Sequence, residues 1–269
     1  MSHPLTHSLT VVLPSGPFEP LQTLKRLRIL KLDYCSIRAD GASAVAAAVR
    51  ASTTLEVLSL QGNQLMPGGG TGGSFSFGGG GFGMANSSTG GVEALANAFP
   101  TCAVLASVNL SGTGLGPQGA ALLAPALPFC ASMASVDVSN CALGPKGAGV
   151  LATAITGESI TNVNVLGNAI GEEGYHMLSS VAEAKGIGTL CGLNNGQTEA
   201  DLSNQTLGPI DAKLVAWDLR AGFVSASLTI LSLRNNYIGS EGAVAVAKSL
   251  EVNASLTSID LSENYLQKD

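Results

Sequence analysis

Chemistry in this chain would have to be assembled from few parts, since 269 residues hold only three histidines and five cysteines. A Ser/His/Asp or Cys/His arrangement needs an internal histidine held beside the nucleophile it deprotonates. His3 and His7 fall in the leader, and His176 follows Gly174 in an outward column with Ser43, Glu93, Gly149 and Lys213. No motif sets any of them beside a nucleophile. The cysteines are odd in number and contain no C-x-x-C, so neither a disulfide framework nor a zinc site is expected. No His, Cys and carboxylate spacing suits another metal. The stretch PGGGTGGSFSFGGGGFGMANSS, residues 67–88, is rich in glycine but lacks the terminal G-K-S/T of a phosphate loop. Neither an enzyme nor a cofactor is expected, and what remains is recognition by surface.

Charge narrows the partners. Residues 1–50 carry six basic side chains (Lys25, Arg26, Arg28, Lys31, Arg38, Arg50) against three acids, giving +3, so a net charge of −6 leaves −9 on the remainder. An acidic body argues against nucleic acid. The start, MSHPLTHSLTVVLPSG, lacks the basic residues and long apolar run of a signal peptide, and no apolar stretch reaches transmembrane length. A protein partner in the cytoplasm or another reducing compartment is the expectation, without membrane insertion. Cys102 and Cys130, eleven residues before successive anchors defined below, are expected to be buried and reduced.

The elements that must position a binding surface are written most clearly in residues 135–147, SVDVSNCALGPKG. Alternating Val136 and Val138 read as a short strand with one buried face. A turn follows at Cys141, Leu143 returns to the core, and Gly147 opens an apolar helical run. The turn residue recurs at Cys35, Asn63, Thr113, Cys141, Asn168, Gln205, Asn236 and Asn264, and two residues past each stands Ile or Leu. Apolar residues precede each anchor by eight, five and three positions, as in Leu55, Leu58 and Leu60; only Gln197, Ala200 and Leu202 are weak. Four of the seven anchor spacings are 27 or 28 residues. One such unit cannot bury its own apolar face and needs neighbours of its kind.

This pattern, L-x-x-L-x-L-x-x-N/C-x-L with a glycine-opened helix, resembles the leucine-rich repeats of the ribonuclease-inhibitor type over roughly residues 24–269. The resemblance implies an α/β solenoid of about eight repeats, a horseshoe with a parallel sheet on the concave face and helices on the convex face. It does not choose a function, because the same repeats serve inhibitors, sensor proteins of the nucleotide-binding receptor class and a Ran GTPase-activating protein.

Departures from the period mark the domain plan. Residues 1–20 are expected to cap the first repeat of a repeat domain over 21–269. Between Asn63 and Thr113 lie 22 extra residues, assigned to 67–88; their ten glycines and lack of charge read as a flexible excursion. Phe75, Phe77 and Phe82 are nonetheless placed where no repeat needs them, and are counted as partner-binding candidates against a neutral low-complexity expansion. Residues 186–225 form an irregular repeat, entered through nine extra residues and left through three, with Asp211 where a helix-opening glycine is due. A change of curvature or twist is expected there. Between Glu93 and Asp137 there are 43 uncharged positions, so this flank reads either as a neutral surface or as one covered by a partner. The last repeat stops five residues past Asn264, and the carboxyl edge is read as uncapped.

Outward strand positions lie four and two residues before each anchor. Partner-binding candidates are Asp137, Asp201 and Asp260 in the first column, Arg234 in the second, and Tyr34, Tyr237 and Tyr265 beside the anchors, since hot spots favour Tyr, Trp and Arg. Trp217, the single tryptophan, is added; it aligns with a column that is not core, although packing beneath the insert is an alternative. Two functions are compatible: an interaction scaffold or subunit of a larger assembly, or, by resemblance alone, a regulator such as a small-GTPase activator or the sensing region of a receptor-like ATPase. The ATPase would need a P-loop domain, which these residues do not contain, and no activator motif can be matched.

Overall fold

The computed structural model describes residues 26–66, 89–155, 159–221 and 223–266. The leader 1–20 and the stretch 67–88, with Phe75, Phe77 and Phe82, lie outside the described residues.

The apolar residue five before each anchor is the centre of a three-residue strand, because alternation places one side chain inward and its neighbours outward. The strands are β1 (Ile29–Lys31), β2 (Val57–Ser59), β3 (Ser107–Asn109), β4 (Ser135–Asp137), β5 (Asn162–Asn164), β6 (Glu199–Asp201), β7 (Ile230–Ser232) and β8 (Ser258–Asp260). They alternate with helices α1 (Ala39–Ala51), α2 (Gly90–Ala98), α3 (Gly116–Leu123), α4 (Gly144–Ala154), α5 (Gly171–Lys185), α6 (Pro209–Ala221) and α7 (Gly239–Leu250). Pairing is parallel throughout and in the expected register: Leu30, Leu58, Val108, Val136 and Val163 form one file, and Ala200, Leu231 and Ile259 another. All but Ile259 are buried.

The anchors bind the stack together. Asn63, Asn168 and Asn236 are each at most 3% exposed. Asn168 accepts from the Cys141 and Leu143 N–H groups at 2.9 and 3.2 Å, and its amide donates to the Val138 and Val165 carbonyls at 2.8 Å. Asn63 and Asn236 repeat this pattern on Cys35, Ile37, Leu32 and Leu60, and on Gln205, Leu207, Leu202 and Leu233. An anchor therefore serves the turn of the unit before it. Cys35 is exposed, whereas Cys141, at the same position, is fully buried.

Glycines in the first turn of the helices stand where neighbouring helices meet. A Cβ on Gly91 would lie 2.5 Å from the Ala39 carbonyl oxygen, and one on Gly242 would lie 2.7 Å from Ala212 Cβ. In the uncharged flank, Pro125 and Pro128 accompany a 3-10 turn over Ala124–Phe129 after α3, since proline cannot continue an α-helical ladder.

The sheet is not continuous. β1 to β5 form one five-stranded sheet and β6 to β8 a separate three-stranded one. The irregular repeat therefore breaks the sheet, which goes further than a change of curvature. Beside β5 runs the segment 187–193, joined by isolated bridges from Asn162 to Thr189 and from Asn164 to Cys191. The Val163 and Val165 N–H groups, which elsewhere would point to the next strand, donate to the Thr189 and Leu190 carbonyls. Gly192 lies against the Asn164 side chain, and Leu166, expected to face outward, is buried.

Candidate interaction surface

The concave columns divide into groups that hold the backbone and groups that face solvent. Four positions before the anchor, Asp and Asn accept the N–H of the residue two further on. Asp137 takes the Ser139 N–H at 2.9 Å, Asp201 the Ser203 N–H at 2.9 Å, Asp260 the Ser262 N–H at 2.9 Å and Asn109 the Ser111 N–H at 2.8 Å. A short carboxylate or amide at this position closes a local Asx turn, and that requirement selects the residue type. Hydrogen bonds from Ser203 and Ser262 keep the carboxyls of Asp201 and Asp260 below the usual carboxylate range. Asp137 also accepts from Asn164 Nδ2 across the sheet at 3.0 Å.

The side chains next to the anchors behave differently. Tyr237 and Tyr265, one residue past Asn236 and Asn264, are 58% and 76% exposed and stack at 5.9 Å with their planes 4° apart. The repeat sets this geometry, because equivalent positions in neighbouring units lie side by side. Arg234, from the column two before the anchor, binds Glu263 Oε1 at 2.5 Å, and Asn235 donates to Asn204 at 2.7 Å. The second sheet thus gathers Asp201, Arg234, Tyr237, Asp260 and Tyr265. Tyr34 belongs to the first sheet and is 70% exposed, its ring laid over Gly62 and its hydroxyl accepting from Gln61 at 3.1 Å. Asp137 also lies on the first sheet.

Trp217 is a correction. Its side chain is 2% exposed and its Nε1–H points to Glu183 at 3.3 Å, so it anchors α6 to α5 and offers no free surface. α6 keeps the buried columns of α4, with Ala212, Val215, Ala216 and Leu219 inside, and is covered on the face of Trp217 and Asp218 as well. Residues the alternation could also have supplied are Glu199 and Ile230, six before their anchors and both exposed on the concave side.

On the convex side, a groove of about 560 Å³ runs over α5, α6 and α7, with Tyr175, Lys213, Arg220 and Val244 among its walls. Lys213 bridges Glu172 and Glu241, which raises its pKa. His176 is exposed, 4.0 Å from Glu172. In the uncharged flank, Phe129 and Val104 are exposed. All five cysteines are free, with Cys102 and Cys130 buried. Among the described residues no three His, Cys, Asp or Glu side chains gather as metal ligands, and no helix is long and apolar enough to cross a membrane.

A family model described as a leucine-rich repeat matches residues 224–247. No curated protein matches the sequence. Among solved structures, the leucine-rich repeat-containing protein LegL7 from Legionella pneumophila is similar at 16% identity and a TM-score of 0.53, over 97% of this chain and 73% of that one. The tropomodulin C-terminal domain of Caenorhabditis elegans is similar at 17% identity and a TM-score of 0.46, over 63% of this chain and 93% of that one. Together with the strand register, the family match and the likeness to LegL7 make the fold that of a leucine-rich repeat solenoid of ribonuclease-inhibitor-like type.

Proposed function

We propose that this solenoid is a non-catalytic interaction scaffold or a subunit of a larger assembly, and that it holds a protein partner on the concave rim of its second sheet. The observation that carries this reading is the exposed, stacked pair Tyr237 and Tyr265 beside Arg234. Tyrosine presents a large amphipathic surface with little rotamer entropy to lose, and stacking restricts the two rings before any partner arrives. Asp137, Asp201 and Asp260 are engaged in their own turns and contribute charge to the face. The scarcity of internal histidine and the scattered carboxylates favour binding over catalysis.

The test compares the wild-type chain with a Tyr237→Ala/Tyr265→Ala double variant in affinity capture from native extract, read by quantitative mass spectrometry. One stable partner retained by the wild type and lost by the variant is the expected result. A partner retained equally by both would place binding elsewhere, and recovery of a small GTPase only in one nucleotide state would favour a regulator.

A further inference from the structure

The convex groove follows a helix that lies deeper than its two neighbours. Eight residues past their anchors, His176 of α5 and Val244 of α7 are exposed, whereas Lys213 of α6 is half-buried; twelve past, Ser180 and Lys248 are exposed and Trp217 is buried. Trp217 donates to Glu183 at 3.3 Å and holds α6 against α5. Packed helices stand about 8–10 Å apart, so α5 and α7 are about twice that distance from each other, and the channel over α6 is about one helix wide. At about 1.5 Å per residue, the 13 residues of α6 make the channel about 20 Å long, enough for between three and four helical turns.

The lining sorts by chemistry along this length. Tyr175, Ala216, Val244 and Ala245 give the groove an apolar centre. Where α6 begins, Lys213 is bound to Glu172 of α5 and to Glu241 of α7, so the charges at that end largely cancel. Where α6 ends, Arg220 and Lys248 are both exposed. Glu183 meets Arg220 only at 3.8 Å, and Lys248 has no ion pair among the described residues. Two bases therefore stand at one end of an apolar channel, on a stretch, residues 51–269, whose net charge is −9. Screening confines attraction between exposed charges to about 8 Å at physiological salt, so a ligand in the groove senses these bases more than the distant acids.

We propose that the groove seats an amphipathic α-helix of a partner protein, its apolar stripe laid over Ala216 and its acidic side chains at the end above Arg220 and Lys248. A helix with apolar residues at i, i+3, i+4 and i+7 presents a stripe that fits a channel of this width, and its acids meet the two bases instead of being buried unpaired. An extended peptide would lay its backbone N–H and C=O groups against helices, which have no strand edge to pair with them. The groove lies on the opposite side of the solenoid from the tyrosine rim, and neither reading depends on the other.

A displayed library of random 16-residue peptides is the probe, first depleted on the Val244→Asp chain and then selected on the full wild-type chain. The surviving peptides are expected to carry apolar residues at i, i+3, i+4 and i+7, with Asp or Glu grouped at one end. Synthesised singly, they should bind Arg220→Glu/Lys248→Glu about tenfold more weakly and Tyr237→Ala/Tyr265→Ala as tightly as the wild type. Replacing their acids with lysine should restore affinity for the charge-reversed chain. No survivors, survivors without that pattern, survivors bound equally by the charge-reversed chain, or survivors weakened by the tyrosine variant would overturn the proposal. Should Val244→Asp not fold, Arg220→Glu/Lys248→Glu, altered only at exposed positions, takes its place in the depletion.

Discussion

Replacing Asn168 with alanine probes the stacking mechanism at its strongest point. The side chain is 1% exposed and satisfies two N–H groups and two carbonyls of its own and the preceding unit. Alanine leaves these buried groups without partners. Each orphaned group costs about 1–3 kcal/mol in isolation, and relaxation together with non-additivity brings the expected total to about 3–5 kcal/mol. Thr113 occupies the same column but supplies only its hydroxyl, to the Leu110 carbonyl and toward Cys141 at 3.6 Å. Thr113→Ala should therefore cost about 1 kcal/mol. Urea denaturation followed by backbone circular dichroism gives both values on one scale. A loss for Asn168→Ala below about 1.5 kcal/mol, or one equal to that of Thr113→Ala, would refute the idea that the anchor amide holds successive turns together.

Other consequences can be checked in the same way. Gly242→Val should destabilise by about 1–3 kcal/mol, since even a Cβ would sit 2.7 Å from Ala212 Cβ; an unchanged urea midpoint would contradict the close helix approach. The burial of Asp218 gives it a contribution to stability that is larger below about pH 4 and lost by about pH 6, a difference of about 3 kcal/mol from its raised pKa. The wild type should lose that much relative to Asp218→Asn in urea titrations between the two limits, and parallel curves would count against it. Tyr237→Ala/Tyr265→Ala should leave the denaturation midpoint in place, because both rings are exposed; a large drop would make the pair structural.

Much of the fold could be read from residue columns, because solenoid packing repeats the same demand in every unit. The Leu, Val and Ile positions gave the register, and the Asn and Cys anchors gave the turns that the side-chain amides close. The break was harder. Spacings of 37 and 31 residues around Gln205 and the loss of glycine at Asp211 located it, but Asp218 looks like an ordinary helix-surface charge until the segment 187–193 is seen folded onto it. Trp217 misled for the same reason, since column alignment does not show that α6 is covered on a face that the other helices leave open. The candidate surface was partly legible. Tyr237 and Tyr265 stand out as large side chains beside small anchors, and their stacking follows from the register. The acidic column is another matter: Asp137, Asp201 and Asp260 resemble a charged binding face in sequence, whereas their local role is to accept backbone N–H groups at the strand ends.

Site-specific photo-crosslinking in native extract tests the central claim most directly. A benzophenone amino acid at position 237 or 265 should give a discrete adduct with one partner, while the same group at exposed positions 118 and 129 should not. Adducts formed from 118 or 129 but absent from 237 and 265 would show that the partner sits on the outer surface and that the tyrosine rim is not the contact.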